Sequence, residues 1–349
     1  MREVRPFTEK SFTASAQYDT EFSGRPIDMI ALSFDATISS GGTPYTDGAA
    51  RLLGRPELIQ AEEPLISLPA EDWWQLAAIS SGGFDKATGT ATVGAFQAAL
   101  DLEGLMPGAG VNASAAKVFL RGTYGAASQF SSDGSVAVSA ANLRPWARSS
   151  GRDLSMGSFS RPKFRSIPID LSSADTDIQH KIDFDQDQTV PFLMVRTYDD
   201  SAVNRVDGLI RRIRCDVISG SGGSRELIRA TWGQLRHYLV NQAGFGDDDR
   251  SNSVGVVAIP LSDPGNARGG GSLTLRKGDS LVLHFDTSST AELDFTSVTP
   301  AANDKCYVSV VGFVPVAGAG DSGPADEVRT ARAVSTTPAR SSRRRRRRR

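Results

Sequence analysis

Leu209-Ile-Arg-Arg-Ile-Arg-Cys-Asp-Val217, followed after a glycine-bearing turn by Glu226-Leu-Ile-Arg-Ala-Thr-Trp-Gly-Gln-Leu-Arg-His-Tyr-Leu239, changes its hydrophobic period within one short stretch. In the first run Leu209, Ile213, Cys215 and Val217 lie on one face and Ile210, Arg212, Arg214 and Asp216 on the other, with Arg211 the exception on the apolar side. Alternation with period two marks a half-buried strand. In the second run Ile228, Trp232, Leu235 and Leu239 recur at i, i+4, i+7 and i+11, the stripe of an amphipathic helix. The spacing predicts a helix over 224–242 with Ser224 as its N-cap. A strand, the loop Gly220-Ser-Gly-Gly223 and a helix form one unit.

The unit occurs again near the N-terminus. Ile30, Leu32, Phe34, Ala36 and Ile38 alternate with Ala31, Ser33, Asp35 and Thr37, the Gly41-Gly42 loop follows, and residues 69–79 predict a shorter helix packing Trp73, Leu76, Ala77 and Trp74. Each helix precedes an acidic, glycine-containing turn and an apolar strand, 91–102 in one half and 254–261 in the other. Further strands are predicted at 135–140, 178–184, 190–197, 272–276, 280–286 and 305–316, almost all bounded by Gly, Pro, Asn or Asp. Many short strands with turn chemistry between them indicate sandwiches or barrels. The repeated element order predicts a structural duplication of about 150 residues per copy, carried by pattern and not by residue identity. A linker is expected within 149–173, where Ser, Arg, Gly and Pro concentrate, and residues 39–68 read as a long insertion that carries contacts or moves.

Charge is distributed as unevenly as the pattern is regular. Lys and Arg number 39 and Asp and Glu 40, a net charge of −1. Ten arginines lie beyond Val328 with no acidic residue among them, namely Arg329, Arg332, Arg340 and the run Arg343, Arg344, Arg345, Arg346, Arg347, Arg348 and Arg349. The rest of the chain therefore holds 29 cationic against 40 acidic residues, about −11, and the tail +10. A block of like charges repels itself and buries nothing, so the tail is expected to be disordered until it meets a polyanion. Arg340 and Arg343 to Arg349 are the candidate contacts to nucleic-acid phosphates or anionic lipid headgroups. With no aromatic residue interleaved, binding is expected to be indifferent to base sequence.

Other function classes leave little trace. No run of about 20 apolar residues is present, as a membrane-spanning helix would require. The first residues, Met1-Arg-Glu-Val-Arg-Pro-Phe, do not read as a secretory signal. Cys215 and Cys306 sit in apolar strand-like runs and are expected to be small buried thiols. His180, His237 and His284 are isolated from one another, and no Cys-x-x-Cys or His-Glu-x-x-His occurs. Asp183, Asp185 and Asp187 imitate the start of a calcium loop, but its sixth position is not Gly and its twelfth is Met194. Gly269-Gly-Gly271 and Gly220-Ser-Gly-Gly223 lack the Lys-Ser/Thr of a phosphate loop. No catalytic, cofactor or metal residues are assigned.

The strand and helix of 209–239, with the closing pair Asp279-Ser-Leu-Val-Leu-His-Phe-Asp286 and Lys305-Cys-Tyr-Val-Ser-Val-Val-Gly-Phe-Val314, resemble the double jelly-roll major capsid proteins of the tectivirus and adenovirus lineage. The style is that of corticovirus-type lipid-containing bacteriophages, over roughly residues 10–317. The resemblance implies an all-β chain of two tandem jelly-roll barrels or sandwiches, at 1–155 and 156–320, each with a short rim helix, and a disordered basic tail at 321–349. It implies a non-enzymatic protein made in the host cytoplasm and located in the virion. Its expected partners are its own copies in a homotrimer, neighbouring trimers, minor capsid and penton proteins, and genome or membrane lipid through the tail. The alternative reading is a β-sandwich binding module, a spike, adhesin or carbohydrate-binding protein anchored by the tail. It would need exposed aromatic loops, for which Trp73, Trp74 and Trp146 are the hints. A β-rich hydrolase would need a carboxylate pair that the sequence does not single out.

Overall fold

The computed structural model describes residues 4–39, 43–81, 87–90, 92–132, 136–150, 154, 159–171, 177–200, 204–242, 252–261, 272–287, 300–301 and 304–316. The N-terminal half contributes β1 (Val4–Pro6), β2 (Lys10–Ser11), β3 (Gln17–Phe22), β4 (Ile27–Ser39), β5 (Glu57–Gln60), β6 (Glu63–Ser67), β7 (Ala87–Gly89), β8 (Val93–Asp101), β9 (Val118–Thr123) and β10 (Ala137–Ser149). The C-terminal half contributes β11 (Phe159–Asp170), β12 (Ile178–Asp183), β13 (Gln188–Asp199), β14 (Asn204–Arg205), β15 (Arg212–Ile218), β16 (Ser224–Thr231), β17 (Val256–Pro260), β18 (Leu273–Leu275), β19 (Ser280–Asp286) and β20 (Lys305–Val316). Helices α1 (Gly48–Arg51), α2 (Ala70–Ser81), α3 (Leu102–Leu105) and α4 (Trp232–Gln242) complete it.

The two halves repeat one topology. In the C-terminal half β11-β20-β13-β17 form one sheet and β12-β19-β15-β16 the other. In the N-terminal half β1-β10-β4-β8 and β3-β9-β5-β6 occupy the same places in the same chain order. Apart from one consecutive pair in each half, β5–β6 and β15–β16, which form hairpins within a single sheet, the successive strands of these eight-stranded sets cross to the opposite sheet, and the last strand of each half returns beside the first. Both long helices leave the sixth strand of their half, α2 after β6 and α4 after β16. The all-β reading and the paired rim helices hold.

Three local expectations change. Residues 224–231 are strand β16, paired from Ser224 opposite Ile218 to Thr231 opposite Arg212, so Ser224 caps no helix. Helix α4 begins at Trp232, where the Thr231 hydroxyl accepts from Gln234 N and the Gln234 side chain accepts from Thr231 N, a capping box read as Thr-x-x-Gln. The 149–173 stretch contains β11, whose twelve residues pair with β20 from Phe159–Val316 to Asp170–Lys305. The presumed insertion at 39–68 contains α1, β5 and β6, the last two being sheet strands of the first half. The alternation failed there because these strands are short and one ends in a positive-φ turn at Ala61 and Glu62.

Burial explains which strands alternate and which do not. β15 covers a single core, with Ile213 and Cys215 buried and Arg212 and Arg214 half-exposed. β13, β17 and β20 are apolar almost throughout because both faces of their sheet are covered. Leu193, Val195, Ile259, Val308 and Val310 face β12, β15 and β19, whereas Phe192, Met194, Ala258, Val311 and Phe313 join the core of the N-terminal half. Cys215 and Cys306 are buried free thiols; burial pushes Cys215 up to about 12 and Cys306 in the same direction.

Candidate functional site

The twice-covered sheet makes a seam between the halves. β6 of the first half pairs in parallel with β11 of the second, Phe164 opposite Ile66 and Arg165 opposite Ser67, which joins strands of both halves into one ten-stranded sheet. Beside this join α2 lies on the sheet face that carries Phe164, Met194, Val311 and Phe313. Pro69 precedes the helix, Glu71 and Asp72 occupy its first turn where acidic charge is favourable, and Trp73, Trp74, Leu76 and Ala77 are buried.

Asp72 is fully buried and lies at the centre of the seam. Its carboxylate accepts from Arg196 Nε at 2.7 Å, from Ser309 Oγ at 2.7 Å and from Ser166 Oγ at 3.0 Å. These partners come from β13, β20 and β11 and share one sheet face with the apolar residues two positions away along each strand. A second buried pair links the halves, Arg205 Nε to Asp47 Oδ2 at 2.7 Å. Asn204 Oδ1 accepts from Thr46 N at 3.0 Å, and Gln75 Nε2 donates to the Asn252 carbonyl at 3.0 Å.

The electrostatics follow from crowding three carboxylates and three guanidiniums into a dry region. Burial opposes the charge of Asp47, yet Arg205, with Arg196 and Arg51 behind it, outweighs burial and holds the carboxyl below its ordinary range. Burial likewise opposes the charge of Arg196, and Asp72, Glu71 and Asp47 together hold it above its ordinary value. Burial pushes Glu71 up, the nearby Asp47 adds to this, and Arg196 and Arg51 offset only part of it.

A cavity of about 460 Å³ opens over this cluster, with Tyr45, Arg51 and Glu71 on the side of the first half and Arg196, Tyr198 and Tyr307 on the side of the second. The Arg51 guanidinium lies 5.1 Å from the ring centroids of both Tyr45 and Tyr198, and that of Arg196 lies 4.5 Å from Tyr307. Gly54 closes the wall at φ +65°, where a Cβ would meet the Thr123 carbonyl oxygen at 2.2 Å. Here glycine is required twice over, by backbone conformation and by contact.

No protein-family model matches the sequence, and no curated protein matches it. Among solved structures, a chain from the atomic structure of Sulfolobus Turreted Icosahedral Virus superposes with a TM-score of 0.65 at 13% identity, covering 90% of each chain. A chain of the PBCV-1 virus capsid gives 0.60 at 14% identity, over 92% of this chain and 95% of that one. The major capsid protein P2 from bacteriophage PM2 gives 0.50 at 11%, over 90% and 97%. The fold is the double jelly-roll. Each jelly-roll of this chain thus carries its rim helix after the sixth strand, and the seam fuses the two side by side.

Of the residues singled out in the sequence, Arg340 and Arg343 to Arg349 lie outside the described residues. Trp73 and Trp74 are buried in the seam and Trp146 is half-buried on β10, which removes the exposed aromatic loops that a binding module would need from these positions. His180 and His284 lie on neighbouring strands of the β12-β19-β15-β16 sheet and His237 on α4. Among the described residues no cluster of three His, Cys, Asp or Glu could hold a metal ion. Asp183 instead accepts from Ser280 Oγ and pairs with Lys181, and Asp187 accepts from Lys277 N. Of the seam residues Asp47, Asp72, Arg196 and Arg205, one has a signal in the sequence. Arg196 ends the apolar run Val190-Pro-Phe-Leu-Met-Val195, and a charge inside a fully apolar strand requires a partner.

Proposed function

We propose that the chain is a structural major capsid protein that assembles as a pseudo-hexameric homotrimer and tiles the shell of an icosahedral virion. The observation that carries this reading is the side-by-side fusion of two complete jelly-rolls through β6–β11 pairing and the buried Asp72–Arg196 and Asp47–Arg205 pairs. In this reading two barrels held as one block let three copies related by a threefold axis present six nearly equivalent barrels to their neighbours. The short, protected strand edges of jelly-rolls leave loops to make lateral contacts. The division at 1–155 and 156–320, with 321–349 as tail, belongs to this proposal. So do neighbouring trimers and minor capsid or penton proteins as partners, and Arg340 and Arg343 to Arg349 as contacts to genome phosphates or anionic lipid. Synthesis in the host cytoplasm and a final place in the virion complete the reading.

Light scattering coupled to size-exclusion chromatography on nuclease-treated protein at moderately high salt tests it. A mass near three times 37.1 kDa, or a closed particle, is expected. A protein that stays monomeric at every concentration and never forms particles would refute it and favour a binding module.

A further inference from the structure

The cavity over the seam has the composition of an anion site. Arg51 and Arg196 form its floor with side chains 9% and 3% exposed, and Arg55 stands at its mouth, about half exposed. Glu71 is the acidic residue in its lining and is ion-paired with Arg51, Oε1 to Nε at 3.8 Å, so an entering anion would share the guanidinium with it. Asp72 engages Arg196 through Nε, and the guanidinium carbon lies 4.5 Å from the Tyr307 ring centroid on the lining of the cavity. Arg55 donates Nε and Nη2 to Ser67, and its charge at the entrance is shared with Glu57, 3.9 Å from Nε. The tyrosine rings around Arg51 and Arg196 fix the planes of both guanidiniums, which is the preorganisation that oxyanion recognition needs.

We propose that this cavity binds a small oxyanion-bearing molecule, through a phosphate or carboxylate group held by Arg51 and Arg196, with Arg55 closing on it from the mouth. At about 460 Å³ the space exceeds a bare ion and lies within the usual range for small-molecule sites. Its walls come from both jelly-rolls, so the ligand clamps the seam from outside as Asp72 does from within. Burial already disfavours the charge of Glu71, and an anion bound beside Arg51 would push that carboxyl further in the same direction. The inference stands whether or not the protein forms a shell.

Thermal unfolding of the full-length protein tests it, with inorganic phosphate, adenosine monophosphate or citrate titrated against chloride at matched ionic strength. A ligand that binds only the folded state raises Tm with its concentration. At least one anion is expected to raise Tm by a few degrees along a binding curve, and Arg55→Gln, referred to its own ligand-free Tm, to shift the midpoint at least tenfold. Arg51→Gln should abolish the effect. The tail is common to all three proteins and cancels in the comparison. A response to phosphate alone assigns the site to the free ion, a tighter response to adenosine monophosphate assigns it to a phosphate carried on a larger molecule, and a response to citrate assigns it to carboxylates. The proposal is overturned if no anion acts. It is equally overturned if wild type, Arg55→Gln and Arg51→Gln respond alike, which is the general stabilisation that excluded salts give.

Discussion

Replacing Asp72 by alanine should loosen the join between the jelly-rolls more than any comparable surface change. The carboxylate is fully buried and accepts three hydrogen bonds, from Arg196, Ser309 and Ser166. Bonds to a charged group contribute about 1.5–3 kcal/mol each, a gross of about 4.5–9 kcal/mol. Desolvating the carboxylate costs several kcal/mol and offsets much of this. The substitution removes both terms but leaves the Arg196 guanidinium buried opposite an apolar gap, which brings the expected loss to about 3–5 kcal/mol. Against a total stability of about 5–15 kcal/mol this is large. Urea unfolding followed by tryptophan fluorescence is the assay, since Trp73 and Trp74 lie in the seam and Trp232 starts α4 of the other jelly-roll. Asp72→Ala with Arg196→Met should recover most of the loss, because an apolar pair costs no desolvation. A loss below about 1 kcal/mol for Asp72→Ala, or a double variant whose loss equals the sum of the single losses, would refute the reasoning.

Other consequences are as direct. Asp47, held low by Arg205, contributes stability that is present above the ordinary carboxylate range and is lost as pH falls through its folded value; Glu71, pushed up by burial, contributes with the opposite sign, fully present below the ordinary range and lost as pH rises. Unfolding measured against pH should therefore lose its acid slope in Asp47→Asn and the upper part of its decline in Glu71→Gln, and an unchanged profile in both variants would contradict these assignments. Gly54→Ala should cost about 1–3 kcal/mol from backbone strain alone and more from the contact with the Thr123 carbonyl, whereas Gly223→Ala, with nothing within 4 Å, should be nearly neutral in the same melt. If Arg343 to Arg349 all engage single-stranded nucleic acid, affinity should fall roughly a thousandfold between about 50 and 200 mM salt. Filter binding showing equal retention after removal of residues 340–349 would show that the tail is not the contact.

The sequence made the sheets legible to different depths, and the reason lies in how many faces each strand buries. Strand β15 alternates and announced itself, down to the side of Cys215, because one face meets a core and the other meets water. Strands β19 and β20 were legible in extent, over Ser280–Asp286 and Lys305–Val316, because turns flank them. Short strands β5 and β6 were not legible, since four or five residues give too few turns of any period. The boundary between β16 and α4 was misplaced because Ile228 fits both a helical stripe and the strand register opposite Cys215; the Thr231–Gln234 capping box was the local feature that could decide it.

The seam was legible in half. Apolar runs without alternation in β13, β17 and β20 mean a sheet covered on both sides, and one jelly-roll supplies only one cover. What supplies the other cannot be read from local pattern, because the contacts of Asp72 reach 94, 124 and 237 residues along the chain. Yet Arg196 narrows the answer. A guanidinium on a doubly buried face must find a carboxylate brought by the covering element, and an amphipathic helix with an acidic first turn can bring one to the sheet. Residues 69–79 carry such a turn, Glu71-Asp72, directly before buried tryptophans. The charge that breaks the apolar run of one jelly-roll and the acid that opens the helix of the other are therefore two ends of a single constraint, which fixes both the docking of the halves and the site of the cavity above them.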